Sequence, residues 1–252
     1  MTNKEIKSIL EALPKKLSYN CTCKCETNYQ LNIEKLNLPG YNVQKTLTYN
    51  VLYLMDSVGD DYTNKNDPPN IKYTMFVFDE NNEAERDNEL YVVIGQNPSC
   101  SSDKNIDRTN QCIYKALISK GIHRYLLLNT FPIIDADGIN SPDTLKADAN
   151  IDIVKSMLES LVKQVTIKFI YACGSSLPVY ARFLNDINEF ATKNNLNTYA
   201  FEYEGNPHTH MSIQTINSKK IDITALKIEK YIVKCVNLDE FKNAKFIKGE
   251  SE

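Results

Sequence analysis

The residues best suited to chemistry sit in short polar clusters that follow apolar runs. Gln96-Asn97-Pro98-Ser99-Cys100-Ser101-Ser102 comes directly after Leu90–Ile94 and Gly95. Its carboxamides and hydroxyls are short hydrogen-bonding groups on a backbone stiffened by Pro98, a combination that suits a ligand-gripping loop. The same residue types also serve turns and helix caps, which is the alternative reading of this loop. It has neither G-x-G-x-x-G nor a Gly-Lys-Ser/Thr ending, so it is not a dinucleotide fingerprint or a P-loop. Three further clusters of this kind are Asn129-Thr130, Gly174-Ser175 and Asn206–Ser212.

The elements that must position these clusters are strands. Leu90–Ile94 is continuously apolar and β-branched, as expected of a strand buried on both faces of a parallel sheet. Tyr125–Asn129, Thr166–Ala172 and Tyr199–Tyr203 read in the same way. Helix candidates alternate with them: Thr109–Lys120, ending at Gly121 as the C′ residue, then Asp143–Val162 and Leu177–Asn194. Strand alternating with helix predicts a three-layer α/β/α fold with a central, mainly parallel four-stranded sheet. The four polar clusters then share the carboxyl edge of that sheet, where α/β proteins bind ligands.

The remaining segments are less regular. Residues 1–70 read as an N-terminal extension or small subdomain, and residues 71–252 as the α/β domain. The extension opens with an amphipathic helix at Asn3–Leu17 and includes a strand candidate at Thr46–Leu54. Lys72–Phe78 and Leu90–Ile94 are expected to form a hairpin around the polar Asp79–Glu89, and Ile221–Lys234 is expected to be a final helix.

Composition limits the function classes. The net charge of −3 gives no global attraction for nucleic acid, so any DNA contact must come from a local patch, backbone amides or hydroxyls. No apolar segment approaches the roughly 20 residues of a membrane span, and the first residues lack the apolar core of a signal peptide. A cytoplasmic protein without membrane association is expected. Seven cysteines, an odd number, argue for reduced thiols. Cys21, Cys23 and Cys25 alternate and could hold a metal, but they lack C-x-x-C spacing and a fourth ligand. Neither a metal nor a cofactor is expected.

The order and content of the motifs carry a resemblance. GQNPS at 95–99, LLLNT at 126–130, CGSS at 173–176 and NPHTHMS at 206–212 resemble the motifs of the uracil-DNA glycosylase superfamily. The likeness covers about residues 72–215. The NPS loop with Asp107-x-Thr109 also resembles a bacterial domain of unknown function related to that superfamily.

The resemblance implies a role for each motif residue. Asn129 matches the asparagine that reads the base, its amide offering a donor and an acceptor side by side to uracil N3–H and O4; the alternative is a capping asparagine at a strand end. Gln96, Ser99 and Phe131 fall beside the bound base, with Ser99 where other members carry a tyrosine that blocks the thymine methyl. Asn97 matches the residue that positions the attacking water, an aspartate in the fastest members. Because asparagine cannot act as a base, slower chemistry is expected.

The chain has three histidines, and two of them, His208 and His210, lie in the last motif. The family uses a histidine there to donate to the departing uracil O2. His210 is preferred and His208 second, since Asn206 takes the position of the usual histidine if Asn206-Pro207 is superposed on the family's His-Pro. Met211 matches the wedge that fills the space left by the flipped base, with core filler as the alternative. Ser101, Ser175, Asn206 and Ser212 match DNA-contacting positions.

The implied activity is a monofunctional, metal-independent glycosylase that flips uracil out of single- or double-stranded DNA and hydrolyses its N-glycosidic bond in base-excision repair. No lysine occupies a motif position, so no lyase step is expected. The alternatives are a non-catalytic DNA-binding module and a glycosylase for another modified base. The resemblance also admits a DNA-mimicking inhibitor protein as partner, and a monomer is expected.

Overall fold

The computed structural model describes residues 1–16, 21–32, 46–56, 72–79, 88–95, 108–132, 144–173, 181–208, 211, 213–234 and 245–249. In chain order its elements are α1 (Asn3–Lys16), β1 (Cys21–Asn32), β2 (Thr46–Asp56), β3 (Lys72–Phe78), β4 (Glu89–Gly95) and α2 (Arg108–Ile118). They continue as β5 (Arg124–Asn129), α3 (Thr144–Leu161), β6 (Thr166–Tyr171), α4 (Ala181–Lys193), β7 (Thr198–Tyr203) and β8 (Asn206–His208). The chain closes with α5 (Ile213–Ser218), a 3-10 turn at Ile223–Ala225, β9 (Lys227–Lys234) and β10 (Lys245–Lys248).

The four strands expected from apolar runs are β4, β5, β6 and β7, and they form the parallel centre: β4 pairs with β5 and β6, and β6 with β7. The expected sheet of four strands is nevertheless too small. Antiparallel strands extend it on both sides to ten, in the order β1-β2-β3-β5-β4-β6-β7-β9-β10, with β8 on β7. Two pairings differ from expectation for a physical reason. β3 pairs with β5 and not with β4, so the expected hairpin does not form; the polar stretch between β3 and β4 lacks a tight-turn signal that would make them neighbours. The expected C-terminal helix is instead the 3-10 turn and β9, antiparallel to β7. Lys227–Lys234 is rich in Ile, Val and Tyr, which suit a strand, and it supplies hydrogen bonds to the edge of β7.

Period-two alternation sorts the side chains into two cores. Leu90, Val92, Ile94, Leu126, Leu128, Phe169 and Tyr171 bury against α1, α3 and α4, whereas Val93, Tyr125, Leu127, Ile170 and Phe201 bury against α2 and α5. Both faces are covered, which is why these strands read as unbroken apolar runs. The N-terminal segment is built into the same sheet, since β2 pairs with β3 and Ile6, Leu10 and Leu13 of α1 lie in the first core. Thr2 and Glu5 form a reciprocal capping box for α1, with Thr2 N–H donating to Glu5 Oε2 at 2.6 Å and Glu5 N–H to Thr2 Oγ1 at 3.2 Å. Leu10→Ala is therefore expected to destabilise the whole protein by about 2–5 kcal/mol in a urea titration. A loss within experimental error would mean that α1 is dispensable to the core.

Helix α2 ends as its glycine predicts. Gly121, with φ of 75°, donates to Ile118 O at 2.9 Å and Ile122 donates to Leu117 O at 3.1 Å, a Schellman motif that turns the chain into β5. At the far side of the sheet, the buried Glu202 accepts from Tyr231 Oη and Lys248 Nζ, each at 2.7 Å, tying β7, β9 and β10 together. These bonds, that from Lys248 foremost, hold the Glu202 carboxyl below its ordinary value of 4.5. A lowered folded-state value means that the unfolded chain binds the proton first. The stabilisation is thus complete above the ordinary value and is lost as pH falls through the folded-state value. Melting midpoints of wild type and Glu202→Gln are expected to differ at neutral pH and to converge in acid. A gap that does not depend on pH would contradict this role.

Candidate functional site

Strand register brings the described strand ends to one edge. Gly95 at the end of β4 is level with Asn129 at the end of β5, and Ile94 is level with Tyr171 of β6. Ala172 continues the row by donating its N–H to Ile94 O at 2.8 Å. On the far side Tyr171 is level with Ala200, and Phe201 is opposite His208.

The hairpin of β7 and β8 decides where the last motif goes. One edge of β7 is taken by β9 along Tyr199–Glu202, and the other by β6 only as far as Ala200. Phe201, Glu202 and Tyr203 pair with β8 on the edge that β6 has vacated, so Asn206–His208 lie just beyond the end of β6. The reversal is made by Glu204 and Gly205, with φ of 50° and 80°, the sign that a type I′ hairpin turn requires at both positions. Asn206 starts the return strand exposed, and its Nδ2 donates to Glu204 O at 3.2 Å, a bond within the turn.

Asn129 is the best-defined polar side chain of the edge. It is only 3 % exposed, yet its carboxamide has no hydrogen-bond partner among the described residues. Its Oδ1 lies over Gly95, so close that a Cβ on that glycine would stand 2.9 Å away. The backbone on its carboxyl side is held at both ends of one peptide unit. Asn129 O accepts from Asn150 Nδ2 of α3 at 3.0 Å, and Thr130 N–H donates to Gly95 O at 3.0 Å. Pro132 O then accepts from Lys72 N–H at 2.8 Å, anchoring the outgoing chain to β3.

The other expected site residues divide into three groups. Phe131 is fully buried two residues past Asn129. Met211 is buried in the core beneath α5, so as placed it fills space, and acting as a wedge requires it to leave that packing. Gln96, Asn97, Ser99, Ser101, Ser175, His210 and Ser212 lie outside the described residues, as does the side chain of His208. Among the described residues no three His, Cys, Asp or Glu side chains are grouped to hold a metal ion, and this includes the described part of the strand carrying Cys21, Cys23 and Cys25.

The third histidine is far from this edge. His123 immediately precedes β5, at the opposite end from Asn129, and burial lowers its pKa against the opposing pull of Asp79. Sequence reasoning missed Asn150. The trace it leaves in the sequence is a polar residue at helical spacing from Ile153, Val154 and Met157, and the structure buries it fully.

The fold is that of a mixed α/β protein in which Gly95, Asn129 and the Asn206–His208 strand lie where parallel strands end. Residues 78–210, more than half of the chain, match the family model described as "Protein of unknown function (DUF1643)", and the chain belongs to that family. The match begins at the end of β3 and takes in β4 through β8, so it contains the whole edge just described. It fits the likeness to a domain of unknown function noted for the NPS loop. Comparison with curated proteins and with solved structures gave no match.

Proposed function

We propose that this edge receives a uracil base turned out of DNA and that the protein hydrolyses its N-glycosidic bond to leave an abasic site. The observation that carries the reading is the Asn129 carboxamide, on a residue only 3 % exposed at the strand end, set against Gly95 and without a hydrogen-bond partner among the described residues. An amide placed so offers one donor and one acceptor side by side to an incoming ligand. A planar imide such as uracil matches both, offering N3–H to Oδ1 and O4 to Nδ2, whereas cytosine presents the reversed edge.

The remaining roles follow the motif resemblance. Asn97 positions a water, whose oxygen bonds to C1′ as the bond to uracil N1 breaks. The electron pair leaves with the base as an anion stabilised at O2 by His210 or His208, and the water loses its proton to solvent. Gln96, Ser99 and Phe131 shape the pocket, while Ser101, Ser175, Asn206, Met211 and Ser212 contact the strand. These neutral contacts suit a chain of net charge −3.

The test is single-turnover incubation with oligonucleotides carrying one uracil, single-stranded or opposite guanine or adenine, followed by alkali. Alkali-labile breaks at the uracil are expected. Their absence at high enzyme concentration would overturn excision of uracil. A second reading rests on Asn97, which cannot act as a base where faster relatives carry aspartate: the same edge binds an unusual base without cutting. Preferential binding of the uracil strand with no breaks would favour it.

A further inference from the structure

We infer that Asn150 is a positioning residue for the Asn129 carboxamide, an inference that rests on the excision reading for its functional consequence. Asn150 is fully buried within α3, among side chains that otherwise serve the first core. Its Nδ2 crosses to the end of β5 and donates to Asn129 O, while the next N–H along the chain is tied to Gly95 O. The peptide plane between Asn129 and Thr130 is thereby clamped from α3 on one side and β4 on the other. Fixing that plane fixes ψ of Asn129, and with it the direction in which the side chain leaves the backbone.

The second observation is what Asn150 leaves undone. Its Oδ1 is buried and has no hydrogen-bond partner among the described residues. An unpaired buried acceptor burdens the fold, and an apolar side chain of similar size would avoid it. Packing alone therefore gives no reason for an amide at this position. Holding a recognition group in a narrow range of directions does, because a recognition site needs a supporting shell that locks its rotamers.

The variants to make are Asn150→Leu, which keeps the volume, and Asn150→Ala, in case the first does not fold. In Asn150→Leu the lost hydrogen bond and the relieved acceptor oppose each other, so the melting midpoint is expected to stay near that of wild type. Two readouts are then taken on folded protein. In a sample labelled with [15N]asparagine, the side-chain amide signal of Asn129 is expected to move. Single-turnover release of uracil is expected to fall on the order of 10²-fold, as for a misplacement of about an ångström, while affinity for the oligonucleotide is retained. A folded variant with both the Asn129 signal and the release rate unchanged would overturn the inference. If the Asn129 signal moves but wild type itself releases no uracil, the excision reading falls and the positioning role stands.

Discussion

Asn129→Ala is expected to lower single-turnover release of uracil by about 10²–10³-fold, the effect of removing one preorganised hydrogen-bonding group from a reaction centre. The protein should remain folded, because the side chain being removed makes no hydrogen bond among the described residues. The backbone bonds that shape the strand end, from Asn150 Nδ2 to Asn129 O and from Thr130 N–H to Gly95 O, do not depend on it. The loss should appear with every uracil substrate, single-stranded or paired, since the contact is to the base. Release at the wild-type rate by a folded Asn129→Ala protein would remove Asn129 from the site. A structural asparagine at a strand end would show the opposite pattern, a lower melting midpoint with the rate of the folded fraction intact.

Gly95→Ala tests the same contact from the neighbouring strand. The added Cβ would stand 2.9 Å from Asn129 Oδ1 and 3.4 Å from Leu127 Cδ1, with Leu128 O at 3.8 Å. The first distance is too short to be kept, and what gives way is the end of a side chain and not the backbone of β5. The strand pairing therefore survives at a cost of about 1–3 kcal/mol, while the carboxamide is pushed aside. Uracil release is expected to fall on the order of 10²-fold although the variant folds. Near-normal release at a clearly lowered melting midpoint would mean that the close approach matters only to packing.

The centre of the fold was legible because burial on both faces leaves a plain mark. Leu90–Ile94, Tyr125–Asn129, Thr166–Ala172 and Tyr199–Tyr203 are each apolar without alternation, and each became one of the parallel strands. Gly121 and the first-turn residues Thr2 and Glu5 are local signals whose bonds form within a few residues, so they too could be read. Strand partners could not. Whether β3 pairs with β4 or with β5 depends on faces buried far apart in the sequence, and the polar stretch before β4 does not record it. Lys227–Lys234 looked helical because its lysines recur at helical as well as strand spacing; its pairing with β7 is a long-range contact.

The site was legible to the same extent. The parallel order predicts that the polar clusters share one edge; of them the structure describes Asn129 and the Asn206–His208 strand, which lie at that edge with Gly95, while residues 96–102 and 174–175 lie outside the described residues. Asn150 escaped notice because its function is a bond to a backbone carbonyl more than 20 residues earlier in the chain, which no spacing rule connects. The local hairpin turn was equally hidden, since Glu204 is not a residue type that announces a positive φ.

The most direct test of the central claim is to identify what leaves the DNA. Wild-type protein would be incubated with a uracil-containing oligonucleotide in water enriched in ¹⁸O, and both the small-molecule fraction and the strand would be analysed by mass spectrometry. The account predicts free uracil without the label, one equivalent per site, and ¹⁸O at C1′ of the abasic sugar, with neither product formed by Asn129→Ala. Intact uracil-containing DNA after prolonged incubation, or label in the released base, would contradict it.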